Sequence, residues 1–218
     1  MPEIVVLATR NQGKIKELAA LLAGFDIEVL GLAAFPHVGD IAETGTTFAE
    51  NSIIKARAVA QATGHIAVAD DSGLVVDALA GAPGVYSARY AGDNATDADN
   101  NAKLLAALAG VPQNLRVARF VCAMTACAPS GETITAQGAW EGHIALAPSG
   151  AGGFGYDPLF YDPSLGRTAA ELSAEQKNSR SHRGRALREL MALWPGFVEK
   201  TREKGSALPP GPPTPRGA

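Results

Sequence analysis

The 218-residue chain is short of cysteine, of charge and of long apolar runs, and each shortage excludes something. Only Cys122 and Cys127 occur, inside an apolar stretch that reads as a strand. Their odd spacing points them to opposite faces, so no disulfide is expected between them. So few cysteines fit a reducing compartment. The apolar run Ile4-Val5-Val6-Leu7-Ala8 is too short for the core of a secretion signal, and no apolar stretch approaches the ~18 residues of a membrane span. A cytoplasmic location, with no membrane partner, is expected. Charged residues make up 19% of the chain, with 19 Lys+Arg against 22 Asp+Glu and a formal net charge of -3. A globally basic nucleic-acid binder is disfavoured, because phosphate affinity needs concentrated positive charge.

What is present is the material of a core. The 46% apolar share lies inside the usual ~45–50%, so disorder cannot describe most of the chain. At ~150 residues per domain the length gives between one and two domains, with one large core as the default. The run Ile4-Val5-Val6-Leu7-Ala8 reads as a buried strand, followed by Ile15, Leu18, Ala19 and Leu22 at helical spacing. Thr47 and Glu50 fit a capping box that starts a second helix through Ile54 and Ala58. Ile66-Ala67-Val68-Ala69 is another buried strand, ending in Asp70-Asp71-Ser72-Gly73. Thr96 or Asp97 caps a helix carrying Leu104, Leu105 and Leu108, stopped by Gly110 and Pro112. Val117–Cys127 and Thr133–Ile144 are two long strands. A final helix covers about 181–194 and is stopped by Pro195-Gly196. Strands alternating with helices predict an α/β fold with an antiparallel portion in the middle. The Pro- and Gly-rich end cannot form ladders, so residues 1–204 are expected to form the domain and 205–218 a disordered or polyproline-like tail.

Several segments carry residues suited to chemistry. The loop Thr9-Arg10-Asn11-Gln12-Gly13-Lys14 joins a strand end to a helix start, where free N–H groups and the helix dipole favour an anion. It is no Walker A motif, because Ala8 stands where a Gly is required and Ile15 replaces the Ser/Thr that would hold magnesium. Glu43-Thr44-Gly45 precedes the second helix, on which Asn51 and Lys55 share a face; a solvated, well-capped face is the simpler reading of that segment alone. Asp70 and Asp71 end a strand, where α/β sheets place ligands. Neighbouring strand side chains point oppositely, so one acid suits a cleft, a metal or a water and the other a loop-holding role; an Asx turn is the alternative.

Gly150-Ala151-Gly152-Gly153-Phe154-Gly155 matches G-x-G-x-x-G. No buried strand leads into it and Tyr156-Asp157-Pro158 opens no helix, so it is not a dinucleotide fingerprint. The loop either presents Phe154 to a flat ligand or simply packs it. Lys177, Arg180, Arg183, Arg185 and Arg188, with His182 and no acid between them, suit phosphate binding or a solvated helix face. The run lacks the interleaved aromatics that single-strand binding needs.

The order of motifs is more specific than any one of them. Thr-Arg-Asn-Gln-Gly-Lys at 9–14, Glu-Thr-Gly-Thr-Thr-Phe-Ala-Glu-Asn at 43–51 with Lys55, Ala-Asp-Asp-Ser-Gly-Leu at 69–74, Gly-Ala-Pro-Gly-Val-Tyr-Ser-Ala-Arg-Tyr at 81–90, Gly-Gly-Phe-Gly-Tyr-Asp-Pro at 152–158 and Ser-His-Arg-Gly at 181–184 resemble the inosine/xanthosine triphosphate pyrophosphatase family. The resemblance spans nearly everything before the tail. It implies an elongated, mixed central sheet flanked by helices, with two lobes and a cleft between them. It also implies a homodimeric, Mg2+-dependent enzyme that hydrolyses ITP, dITP and XTP to the monophosphate and pyrophosphate, sanitising the nucleotide pool. By the same resemblance Thr9, Arg10, Asn11, Gln12, Gly13, Lys14, Lys55 and Lys177 hold the triphosphate. Glu43 and Asp71 bind Mg2+, with Asp71 as catalytic base, and Ser72 and Arg89 contact the substrate. Phe154, Gly155, Tyr156 and Asp157 enclose the base, and His182 and Arg183 read its edge. Arg10 departs from the family, many members of which have Gly there.

The chemistry agrees with these residue types. A triphosphate brings about four negative charges, which lysines and Mg2+ offset before water approaches the α-phosphorus. Donors from Arg183 and His182 suit the exocyclic oxygen at the six position of hypoxanthine or xanthine. A pyrophosphatase for modified pyrimidines would keep the triphosphate site and change the base pocket. A non-enzymatic nucleotide binder would lack turnover, and a nucleic-acid binder would use the 177–188 run.

Overall fold

The apolar run near the N-terminus becomes strand β1, Glu3–Leu7, in a computed structural model that describes residues 3–206. Helix α1, Gln12–Leu22, starts from Asn11, whose side chain accepts the Lys14 N–H. Strand β2, Ile27–Gly31, pairs parallel with β1. Helix α2, Phe48–Thr63, opens on the expected Thr47/Glu50 capping box and closes on left-handed Gly64. Strand β3, Ile66–Val76, then leads to helix α3, Asp97–Ala107, capped by Thr96. Strands β4, Val117–Cys127, and β5, Thr133–Ile144, fall on the boundaries the sequence predicts. Short strands β6, Phe160–Asp162, and β7, Arg167–Thr168, precede helices α4, Ala174–Arg180, and α5, His182–Ser206.

The strands form one sheet in the order β2-β1-β3-β4-β5-β6-β7. β2, β1 and β3 run parallel, and each pair from β3 onward is antiparallel. The mixed α/β sheet is the one expected. Asp70 and Asp71, however, lie mid-strand rather than at a strand end. The edge of the sheet is set by partners: β1 stops at Leu7, opposite Val68, while β4 continues to pair with β3 as far as Val76. The two acids therefore sit just beyond the end of β1.

Strand alternation divides the interior. Val68, Cys122 and Met124 face α1 and α5 in one apolar cluster, and Leu74, Val76, Ala118 and Phe120 face α3 in a second. Between them, on the same face of β3, stand Asp70 and Ser72. Ala67, Ala69 and Cys127 face α2 on the reverse side. Cys122 and Cys127 are thus buried on opposite faces as free thiols, as expected.

Helix α5 corrects the expected stop at Pro195-Gly196, for it continues to Ser206. A proline removes one backbone hydrogen bond, but Phe197, 1% exposed, packs into the first cluster with Trp194 and Val198 beside it. Burial of about 1.5–3 kcal/mol for a side chain of this size, added to the packing of Trp194 and Val198, offsets the roughly 3 kcal/mol cost of an interior proline. Gly205 and Ser206, expected in the tail, belong to this helix; the rest of the expected tail lies outside the described residues.

The start of α5 lies on β5 at Gly138, where a Cβ would stand 2.5 Å from the Ala186 nitrogen and collide with the His182 carbonyl. Gly138→Ala should therefore push α5 off the sheet and cost about 1–3 kcal/mol. A lowered midpoint in urea denaturation measures this, and an unchanged midpoint would contradict the close packing.

Candidate active site

Asp70 and Asp71 point to opposite faces of β3 and collect different partners. Asp70, 1% exposed, receives on Oδ2 the Lys14 ammonium at 3.0 Å, the Arg183 Nε at 3.2 Å and the Ser72 hydroxyl at 3.1 Å. Its Oδ1 has no partner among the described residues. Asp71 faces α2, where Lys55 Nζ lies 3.0 Å away and Asn51 Nδ2 donates at 3.3 Å. Residues four apart on a helix share a face, which is why Asn51 and Lys55 both reach it. Lys55 also holds Glu43 at 3.2 Å. The segment carrying Glu43 is pinned by the Gly45 N–H, which donates to Asn51 Oδ1 at 2.8 Å. A Cβ on Gly45 would lie 2.6 Å from that of Glu50, so the approach needs glycine.

A second set of contacts joins α1, α4 and α5 to the loop after β5. Lys177 donates to Asp157 at 2.6 Å and to Glu17 at 2.7 Å, and Arg183 binds Glu17 and donates to Ser72 at 3.0 Å. Asp157 in turn accepts the Phe154 N–H at 2.8 Å. The Phe154 ring has Lys177 Nζ 4.8 Å and the Arg183 guanidinium 5.7 Å from its centroid. Phe154 also lies where a side chain on residue 13 would be, its ring 2.6 Å from a Cβ built on Gly13. His182 stacks on Phe120 at 4.8 Å.

These groups border one cleft of about 470 Å³, within the usual range for small-molecule sites. Thr9, Arg10, Asn11, Lys14, Glu43, Lys55, Asp71 and Ser72 line it together with Arg89, Phe154, Gly155, Tyr156, Asp157, Lys177, His182 and Arg183. Gln12 is exposed at the start of α1 outside the lining, and Gly13 stands behind Phe154. Lys177 is grouped with the Phe154 end rather than with Lys14 and Lys55. Arg10 straps its loop to the Val38 carbonyl at 2.7 Å and lies 3.5 Å from Asp40, while Arg89 lies over the Tyr86 ring at 5.2 Å. The basic run divides: Arg180, Arg185 and Arg188 bond to Ser164, the Ala139 carbonyl and the Ser179 carbonyl, outside the cleft. Glu17 escaped sequence reading. Its one signal is an acid three residues after Lys14 on the same helix face.

Burial and charge set the protonation states. Burial alone would raise the Asp70 carboxyl, but Lys14, Arg183 and Lys55 outweigh it and hold Asp70 well below the ordinary range. Asp71 goes the other way, raised chiefly by burial and further by Glu43, against the pull of Lys55. Lys55 stays an ammonium, since Asp71, Asp70 and Glu43 overcome its burial. Burial, then Arg183 and Lys177, push His182 well below its usual value, so its ring is neutral near neutral pH.

Among the described residues no group of three or more acidic, histidine or cysteine side chains is placed to cage a metal. Glu43 and Asp71 nevertheless converge on one cation, the Lys55 ammonium. Magnesium is commonly held by one or two carboxylates with substrate phosphates completing its shell. This pair of hard oxygen donors fits an ion that arrives with a polyphosphate.

A mixed α/β sheet whose cleft pairs lysines with buried acids at one end and an aromatic ring at the other defines a class of small-anion protein. The chain belongs to the Ham1 family, whose profile residues 5–193 match. It is 63% identical over 199 residues to a dITP/XTP pyrophosphatase of Nitratidesulfovibrio vulgaris, covering 88% of this chain and 96% of that protein. A dITP/XTP pyrophosphatase of Geobacillus kaustophilus is 52% identical over 194 residues, covering 89% and 95%. The solved Staphylococcus aureus Ham1 protein superposes with a TM-score of 0.79 at 44% identity, covering 91% of this chain and 100% of that one. The resemblance carried by the six ordered motifs is borne out.

The depressed Asp70 carboxyl makes a pH prediction. Its folded pKa lies below the ~3.9 of an unfolded aspartate, so its contribution is present above that value and lost as pH falls through the folded one. Asp70→Asn should cost about 3–5 kcal/mol near neutrality by leaving Lys14 without a carboxylate and the buried Arg183 with Glu17 alone. It should also flatten the loss of stability below about pH 4. Denaturant titrations across the acid range measure both, and an unaltered acid slope would contradict the assignment.

Proposed function

We propose that this chain hydrolyses non-standard purine nucleoside triphosphates, ITP, dITP and XTP, to the monophosphate and pyrophosphate. The observation that carries the reading is the cleft itself, with Glu43, Lys55 and Asp71 meeting beside the Lys14 loop and Phe154 lying under Lys177 and Arg183. The names of the relatives support it.

The triphosphate binds through donors that the paired lysines still have to offer. Lys14 and Lys55 each hold a carboxylate in this structure, and phosphate oxygens take up their remaining N–H groups. Asn11 and Lys14 stand at the N-terminus of α1, where the helix dipole favours the same charge. Glu43 and Asp71 would hold Mg2+ beside the phosphates, where the ion would supply charge neutralisation and polarisation of their oxygens. Asp71, on the cleft wall and held by Lys55 and Asn51, is placed to orient a water and take its proton as the oxygen bonds to the α-phosphorus. The bridging bond to the β-phosphorus breaks, and its electrons leave on pyrophosphate.

Base choice follows from what Arg183 and His182 have left to offer. Arg183 donates once each through Nε, Nη1 and Nη2 to Asp70, Glu17 and Ser72, so two of its five N–H groups are free for a ligand. The neutral His182 ring offers one donor and one acceptor. Both donors match the six-position oxygen of hypoxanthine or xanthine, and the amino group of adenine opposes them. Leaving such groups unpaired is worth ~10⁴ or more in discrimination. The same reading carries a homodimer in the cytoplasm. No helix among the described residues is long and apolar enough to cross a membrane.

Incubation of ITP, XTP, GTP, ATP and modified pyrimidine triphosphates with the protein and Mg2+ should yield monophosphate and pyrophosphate from ITP and XTP. Orthophosphate with diphosphate would exclude the mechanism. Asp71→Asn should slow turnover about 10²–10⁴-fold with Mg2+ saturating, and a near wild-type rate would remove Asp71 as base. Arg183→Ala should lose more kcat/KM on ITP than on ATP, and equal losses would deny that Arg183 reads the base.

A further inference from the structure

Helix α3 turns one face to the second apolar cluster through Leu104 and Leu108. The helical period puts residues 97, 100 and 101 on that face one turn earlier. An amphipathic helix would carry apolar residues there, yet this one carries Asp97, Asn100 and Asn101. All three bond to the backbone of turns that border the cleft. Asn100, buried, accepts the Ala91 N–H at 2.8 Å and donates to the Ala88 carbonyl at 3.2 Å. Asp97 accepts the Gly155 N–H at 2.7 Å, and Asn101 Nδ2 donates to the Gly155 carbonyl at 2.9 Å. Gly155 is therefore held at both of its backbone groups by two side chains four residues apart on one helix.

Gly155 has φ of +61°, the left-handed region that glycine enters without strain. It separates Phe154, packed over Gly13, from Tyr156, whose hydroxyl donates to the Ser87 carbonyl at 2.9 Å. Turning the Gly155 peptide would turn both rings. Thr96 and Asp99 make the capping box, so Asp97, an acid of the first turn that the helix dipole also favours, is not needed to cap it. Asn101 Oδ1 is buried without a partner among the described residues, whereas leucine would continue the Leu104 and Leu108 stripe with no such orphan. We propose that Asp97 and Asn101 are positioning residues for base recognition, which fix the Gly155 peptide and so hold Phe154 and Tyr156 where a purine ring binds. The proposal rests on the pyrophosphatase reading.

The test compares Asp97→Ala, Asn101→Ala and Asp97→Asn, the last keeping an oxygen that accepts from Gly155. With ITP, each alanine variant should raise KM about tenfold while kcat stays within about twofold, and Asp97→Asn should stay near wild type. Unchanged KM in both alanine variants, or Asp97→Asn as impaired as Asp97→Ala, overturns the proposal. If the wild-type protein leaves ITP intact, the pyrophosphatase reading fails, and amide hydrogen exchange across residues 152–158 still decides the clamp. Faster exchange in both alanine variants but not in Asp97→Asn supports it, and unchanged exchange overturns it.

Discussion

A carboxylate taken wholly out of water must be surrounded by positive charge, and Asp70 imposes that demand on the middle of this sheet. Lys14 comes to it from α1 and Arg183 from α5, while Ser72 supplies a hydroxyl from the same strand. Asp70 and Ser72 form a polar interval on the sheet between the clusters around Val68 and Leu74, and Asp70 draws the N-terminal ends of α1 and α5 to one place. Glu17 then completes a chain of alternating charges from Asp70 through Arg183 to Lys177 and Asp157.

That alternation reconciles a net charge of -3 with a polyanionic ligand. Every lysine lining the cleft already holds a carboxylate: Lys14 with Asp70, Lys55 with Glu43 and Asp71, Lys177 with Glu17 and Asp157. The paired arrangement keeps long side chains in place before substrate arrives, which lowers the entropy lost on binding. Most of the positive charge of the site is thus balanced from within, which is consistent with the proposed reading that a cation accompanies the triphosphate.

Residues whose role is fixed by near neighbours could be read from the chain. The capping box of Thr47 and Glu50, and the alternation of β4 and β5 between turn residues, depend on a handful of adjacent positions. Roles set by remote partners could not be read in this way. β3 runs past Asp71 because β4 continues beside it, and α5 passes Pro195 because Phe197 finds the core. Glu17, Asp97 and Asn101 look like ordinary surface polar residues until the fold sets them against Lys177, Arg183 and Gly155. Ordered motifs placed most of the cleft only because a family resemblance carried the long-range information that local pattern lacks.

The central claim is that water, positioned at Asp71, attacks the α-phosphorus and expels pyrophosphate intact. Turnover of ITP in water labelled with heavy oxygen, followed by mass spectrometry of both products, tests it most directly. The account predicts one labelled oxygen in the inosine monophosphate and none in the pyrophosphate. Label in the pyrophosphate, or in released orthophosphate, would place the attack at another phosphorus and contradict it.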